Sequence, residues 1–342
     1  MASIRYLVQG EPTEDGLIDA LAARHPRIGI PGLLRRRGRR ARPGHPPMET
    51  AIDGFRWSAL DGWSQRWWPQ GIEVLDERDD LLVVSWFAQQ RRGSTQGARL
   101  TVVDRRDRAR PRYHHVLLVE PWRNGSELGM RPVAIHAGGL AVVGGRLYAA
   151  ATYGGLRRFD LTDILRVTGR APFGYRCVLP QSGHERLVGG EGEHRMRFSF
   201  VSLERTPSGS GDHLIVGEFG PGAPGRKLGR VPVAGIHSGS ADPVEVIDVH
   251  EPGIARMQGA ALVDGTWFAT ASHGLRAGDL WVGSGGAWVR HPGILLPGPE
   301  DLAASHDGSR LWSLSEYPRR RWVFALDAAR WRTAAGEAGG PG

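Results

Sequence analysis

The sequence predicts an all-β protein, a single five-bladed β-propeller with a short N-terminal extension that contains a helix. Three observations lead there. Residues 136–160, HAGGLAVVGGRLYAAATYGGLRRFD, read as short apolar strands separated by Gly pairs, as an antiparallel meander needs wherever the chain reverses at positive φ. The same pattern recurs along the chain. With 49 Gly, 23 Pro and 12 Trp in 342 residues, the composition suits many short strands, tight turns and large anchors between sheets. A chain of this length holds a sizeable core within one closed β unit.

Residues 1–50 fall outside the repeat. Within 16–24, Leu17, Ile18, Leu21 and Ala22 stand at helical spacing, and His25-Pro26 ends the segment. An arginine run follows over 35–42, broken by Gly38 and Ala41. A block of like charge is expected to be a solvated, partly disordered arm, with a phosphate or acidic-lipid contact as the functional alternative.

From Trp57 the repeats begin. Strand entries are expected at Pro69 (PQGIEVL), His136 (HAGGLAVV), Arg197 (RFSFVSL), Met257 (MQGAALV) and Pro299 (PEDLAAS). Second strands are expected at 81–87, 146–151, 213–218, 267–271 and 310–315, and third strands at 99–104, 156–161, 229–233, 278–282 and 322–327. The last entry has only three strands after it. A strand from the N-terminal side, 55–59 or 4–8, is therefore expected to close the fifth blade and remove an exposed edge. The division is thus an extension over 1–50, a propeller over 51–332 and a disordered tail over 333–342.

The formal charge is +8, carried almost wholly by arginine, since Lys227 is the only lysine. That bias matches a GC-rich genome as well as a binding surface. Cys177 stands alone, so no intrachain disulfide is possible and an oxidising compartment is not implied. The first residues lack a basic start followed by an apolar stretch, and no segment nears the roughly 18 apolar residues of a membrane span. The expected location is the cytoplasm, with no membrane partner and no nucleic acid.

The segments RWWPQGI (66–72), VVSWF (83–87), HHVLLVEP (114–121), HAGGLAVVGGRLYAA (136–150), YRCVLPQ (175–181), MQGA (257–260) and PEDLA (299–303) together resemble a family of actinobacterial β-propeller proteins usually described only as secreted or hypothetical. The resemblance spans roughly residues 55–327 and implies the propeller fold without an activity. The chain departs from the family in its Arg-rich N-terminal segment and in having no export signal. That departure implies an intracellular relative recruited to another task, for instance in a biosynthetic pathway.

In a propeller the first residues of the innermost strands ring one mouth of the central channel. This register brings Gln70, His136, Arg197, Gln258 and Glu300 to that mouth, with Asp301 beside the last. His136 and Glu300 are the expected acid and base, because a histidine near pKa 6.5 and a buried carboxyl both work near neutrality. Gln70 and Gln258 would orient a carbonyl or stabilise an oxyanion, and Arg197 would hold a carboxylate or phosphate. Trp68, Phe198 and Tyr153 are candidates for an apolar wall, alongside Trp67 and Phe200. Gly71, Gly138, Gly139 and Gly259 fit equally with strand crowding and with close approach of a ligand.

Several chemistries lack support. Glycosidases need facing carboxylates on different strands, and only the entry at Glu300 and Asp301 supplies any, with Glu218 at the wrong register. No H-E-x-x-H motif or cysteine pair marks zinc, no G-x-S-x-G elbow occurs, and 189–192 makes no dinucleotide fingerprint. No cofactor is expected; a single metal ion on His136 and Glu300 with water is the one alternative. The leading expectation is an enzyme, a cofactor-independent natural-product lyase, isomerase or cyclase acting on a small, largely apolar metabolite. The alternative is a non-catalytic propeller that binds a glycan, peptide or anionic partner through a basic rim at 35–42, Arg91-Arg92, Arg105-Arg106 and 319–321.

Overall fold

The computed structural model describes residues 5–13, 16–89, 97–169, 172–189, 195–205, 212–221, 226–237, 242–284 and 286–332, which are mostly β strand. The 333–342 tail and the Arg91-Arg92 loop lie outside the described residues.

The strands run as consecutive antiparallel meanders. The first comprises Trp67–Val74, Leu81–Ala88, Ala98–Asp104 and Arg112–Asn124. The second comprises Leu140–Val143, Arg146–Ala150, Leu156–Asp160 and Cys177–Val188. Phe200–Glu204, His213–Gly217, Leu228–Pro232 and Ile247–His250 form the next. Met257–Val263, Thr266–His273, Arg276–Ser284 and Ala287–Leu295 follow. The last runs through Pro299–Ala304, Arg310–Ser315 and Trp322–Asp327, and Ala51–Arg56 pairs with its third strand. The N-terminal strand thus covers the edge that Trp322–Asp327 would otherwise expose. The other candidate for that edge, 4–8, overlaps the strand Leu7–Pro12, which pairs with Cys177–Val188 instead.

The opening strands of these meanders pack against one another in a closed circuit. Trp67–Val74 touches Leu140–Val143 and Pro299–Ala304, and Phe200–Glu204 joins Leu140–Val143 to Met257–Val263, which meets Pro299–Ala304. Such crowding requires glycine. A Cβ on Gly71 would stand 2.8 Å from the Gly139 carbonyl carbon, and one on Gly259 would stand 2.5 Å from Leu302 N. The space beside these two glycines is filled by neighbouring backbone, so they serve strand approach rather than a ligand.

Three sequence expectations are corrected. At His136 and Arg197 the strands begin later, at Leu140 and Phe200. Ala137 sits at φ 54, which breaks the ladder ahead of Leu140. At the other entry, the Arg197 N–H bonds the Glu218 side chain rather than a strand partner. The first two meanders are also one continuous sheet, because the long strands Arg112–Asn124 and Cys177–Val188 pair in parallel at Leu117 and Val178. Finally, the arginine run is placed, not loose. After the helix Gly29–Leu34, Arg39 and Arg40 pair with Tyr113 and Arg112, and Arg42 pairs with Arg56. The helix Leu17–Ala22 agrees with the helical spacing at 16–24.

The core between the first and last meanders is aromatic. Trp57 meets Trp86 and Tyr113 edge-on with centroids 4.9 and 5.1 Å away. The Arg99 guanidinium lies between the rings of Trp67 and Trp86, at 4.5 and 4.7 Å. Arg105 and Arg321, expected on a basic rim, are buried. Arg105 pairs with Asp53 at 2.7 Å over the Trp312 ring, and Arg321 donates from Nε to the Glu316 carbonyl at 2.6 Å.

Candidate active site

A cavity of about 730 Å³ opens at the start of the inner strands. Gln70, His136, Arg197, Gln258 and Glu300, far apart in sequence, all line it, and Tyr153 stands at its edge. Asp301, Trp68 and Phe198 do not line it. Asp301 lies behind Glu300 in the packed ring, where its Oδ2 accepts from the N–H groups of Ile72 and Leu140 at 3.0 and 3.2 Å. It ties neighbouring strands together. Trp68 packs edge-on against Tyr317 at 5.8 Å, and Phe198 is fully buried in the core beside Tyr148.

The residue that sequence reasoning missed is Glu316. It lines the same cavity, and its carboxyl is hydrogen-bonded to that of Glu300. The meander explains the meeting, since Arg310–Ser315 runs antiparallel to Pro299–Ala304 with Ser315 opposite Pro299. The end of each second strand therefore returns to the mouth where the entry strand began. Phe87, Ala151 and Phe219 reach the cavity by the same route. Glu218 stands at an equivalent position but is fully buried, accepting from Arg197 N at 2.8 Å and Lys227 N at 3.0 Å.

Two glutamines from the adjoining meanders flank the carboxyl pair. Gln70 Nε2 donates to Glu316 Oε2 at 3.2 Å and to the Pro69 carbonyl at 2.8 Å. Gln258 Nε2 donates to Glu300 Oε1 at 3.4 Å. Burial pushes the Glu300 carboxyl well above the usual carboxylate range, and the negative Glu316 and Asp301 push it further. Glu316 is raised too, first by burial, but hydrogen bonds from Gln70 and Tyr317 and the charge of Arg321 oppose the rise. Of the two, Glu300 is raised the further and so is the one that holds a proton more readily. Burial and the neighbouring Glu316 push the Tyr317 hydroxyl up to about 12.

His136 is not hydrogen-bonded to Glu300. Its ring lies tilted by 38° against Phe87 with centroids 4.2 Å apart, at the exposed mouth of the cavity. Desolvation by the surrounding protein lowers its pKa to about 4, which favours the neutral imidazole at pH 7. Arg197 is partly engaged, with its guanidinium donating to the Phe219 carbonyl at 3.1 Å. The wall also holds Thr152 at φ 51, a conformation that a β-branched residue adopts only under constraint. A two-way backbone bridge to Phe198, 2.8 and 2.9 Å, holds it there. Among the described residues no group of three or more His, Cys, Asp or Glu is arranged around a metal site.

No family model matches the chain, and no curated protein matches it. Solved structures with similar folds include a gluconolactonase from Xanthomonas campestris, 12% identical with a TM-score of 0.40 over 85% of this chain and 99% of that one. A GH43_1 enzyme from Xanthomonas citri is 12% identical, TM-score 0.41, over 81% of this chain and 91% of that one. The Cps50 (Swd1) β-propeller domain of Myceliophteria thermophila is 9% identical, TM-score 0.42, over 81% and 99%. At that similarity none of them lends this chain an activity.

Proposed function

We propose that the chain is a five-bladed propeller closed by Ala51–Arg56, and that the cavity at its mouth is the active site of a cofactor-independent acid–base enzyme. The reaction class is isomerisation, cyclisation or elimination on a small, largely apolar metabolite. One observation carries this reading: a hydrogen-bonded carboxyl pair, Glu300 and Glu316, held between Gln70 and Gln258 at the head of a metabolite-sized cavity.

Such a pair begins with one proton, on Glu300. Glu316 takes a proton from a substrate carbon, and the electron pair of that C–H bond shifts to form a new double bond. Glu300 gives its proton to the atom that receives the displaced electrons. The pair ends with one proton, now on Glu316, so a second proton transfer within the pair resets it without outside acid or base. Gln258 already points an N–H at Glu300 and stabilises the carboxylate as it forms. Phe87, Ile135 and Phe219 give the cavity its apolar wall, and neutral His136 adds a donor and an acceptor that orient a bound polar group.

The test is a turnover screen of small apolar metabolites with the native chain, Glu300→Gln and Glu316→Gln. The expected result is a compound consumed by the native chain and slowed at least about 100-fold in both variants, since general acid or base catalysis supplies roughly 10²–10⁴. A compound turned over equally by all three proteins would remove the assignment.

A further inference from the structure

A second cavity, about 570 Å³, lies where the arginine-rich segment crosses the outer strand of the first meander. Gly38 makes this crossing possible, because a Cβ there would stand 2.7 Å from His114 Nε2 and 3.0 Å from the Tyr113 carbonyl. Five arginines line the cavity: Arg36, Arg37, Arg39, Arg99 and Arg176.

Among the described residues lining it, Asp61 is the sole carboxylate, and it is already taken. Arg39 donates to its Oδ2 at 2.7 Å and Arg99 to its Oδ1 at 3.0 Å, while the Tyr113 hydroxyl adds a third bond at 2.7 Å. Arg36, Arg37 and Arg176 have no ion pair among the described residues, and Arg36 and Arg37 are exposed. The positive field reaches inward. Burial and then Arg36 and Arg112 lower the pKa of His114. Asp61 thus pairs with the buried Arg99 and the half-exposed Arg39, leaving Arg36, Arg37 and Arg176 at the mouth.

We propose that this cavity binds a small phosphate-bearing molecule, with Arg36, Arg37 and Arg176 taking the phosphate and Tyr175 and Leu60 packing against its organic part. The excess of cations over one satisfied carboxylate matches a group of two or more negative charges better than a lone carboxylate. Arginine forks suit phosphate oxygens. The volume exceeds what a bare ion fills and lies in the range of small-molecule sites. The three unpaired cations converge on one cavity, whereas a nucleic-acid surface spreads its cations along a track.

The experiment is calorimetric titration of the full chain with pyrophosphate, acetate and a poly-uridylate oligonucleotide at about 50 mM and about 200 mM salt. Pyrophosphate is expected to bind at least about tenfold more tightly than acetate. The double variant Arg36→Ala/Arg37→Ala, which breaks no ion pair, is expected to weaken it at least about tenfold with unchanged circular dichroism. A control, Arg110→Ala/Arg276→Ala, removes the same charge at exposed positions elsewhere and is expected to change affinity by less than about twofold. Absence of pyrophosphate binding, equal losses in the two double variants, or tighter binding of the oligonucleotide than of pyrophosphate would each overturn the proposal. The titration is independent of Glu300 and Glu316, so it stands or falls apart from the catalytic reading.

Discussion

Glu300 and Glu316 are hydrogen-bonded to each other because they sit at the same open end of a hairpin, one at the start of Pro299–Ala304 and the other just past Arg310–Ser315. Two carboxyls this close and this buried do not both ionise at neutral pH. The Glu300 carboxyl is raised above its unfolded value, so the folded state binds the extra proton. Its stabilising effect is complete below about pH 4.5 and is lost as pH rises toward the folded pKa, at a slope of at most about 1.4 kcal/mol per pH unit. Glu300→Gln keeps the shape and removes the titration. Thermal melts from pH 5 to 9 are expected to show the native midpoint falling relative to that of the variant. Parallel curves would show that Glu300 is ionised throughout.

His136 gives the opposite slope. Its folded pKa, about 4, lies below the 6.5 of the unfolded chain, so the unfolded state binds more protons between those values. The stability tied to the neutral ring is present above pH 6.5 and declines as pH falls toward 4. An NMR titration of the imidazole is expected to find a midpoint well below 6. His136→Phe, which keeps a ring against Phe87, is expected to flatten the acid limb of the stability curve. A midpoint near 6.5 would make His136 a titrating acid–base group after all.

Asp61 anchors the second cavity. Burial alone would raise its pKa, but His115, Arg99 and Tyr113 outweigh that and hold the carboxyl far below the usual range. His115 beside it is pushed down to about 3, first by burial and then by Arg99, and so stays neutral. Removing Asp61 strands the buried Arg99 without a counter-ion, while Arg39, half exposed, turns to water. Asp61→Ala is expected to cost about 3–5 kcal/mol in urea unfolding at pH 7, the range for breaking one side of a buried pair. The Asp61 contribution is lost as pH falls through its depressed pKa, so native and variant are expected to converge only in strong acid. A loss under about 1 kcal/mol at pH 7 would mean that water replaces the carboxylate.

The period of short strands and Gly turns carried the meanders, because a two-residue alternation and a turn are local properties of the chain. Gln70, Gln258 and Glu300 were legible for the same reason, each opening an apolar strand beside Pro, Gly or Asp. Glu316 was not. Its role depends on where the second strand ends relative to the first, a register that SLSEYPRRR does not encode by itself. The arginine run was misread because charge density describes the unpaired chain, whereas Asp61, 22 residues beyond Arg39, decides where it lies. His136 looked like a proton carrier because its ionisation is set by surroundings that arrive from Phe87 and the cavity wall.

Gly259 tests the ring itself. A Cβ there would stand 2.5 Å from Leu302 N and 2.7 Å from Asp301 Cα, both backbone atoms of the neighbouring inner strand, so no side chain can swing aside to make room. Gly265 is the matched control, at φ 76 in a turn where an added Cβ would have no atom within 4 Å. Gly265→Ala incurs only the left-handed backbone strain, about 1 kcal/mol. Gly259→Ala must push two inner strands apart and is expected to cost more, about 1–3 kcal/mol of overpacking. It also displaces Asp301, and with it the adjoining Glu300, so the carboxyl pair should loosen along with the fold. Urea unfolding of the two variants reads the difference directly. Equal losses would mean that the inner strands slide without resistance, and the closed circuit of opening strands would then not be what positions Glu300 against Glu316.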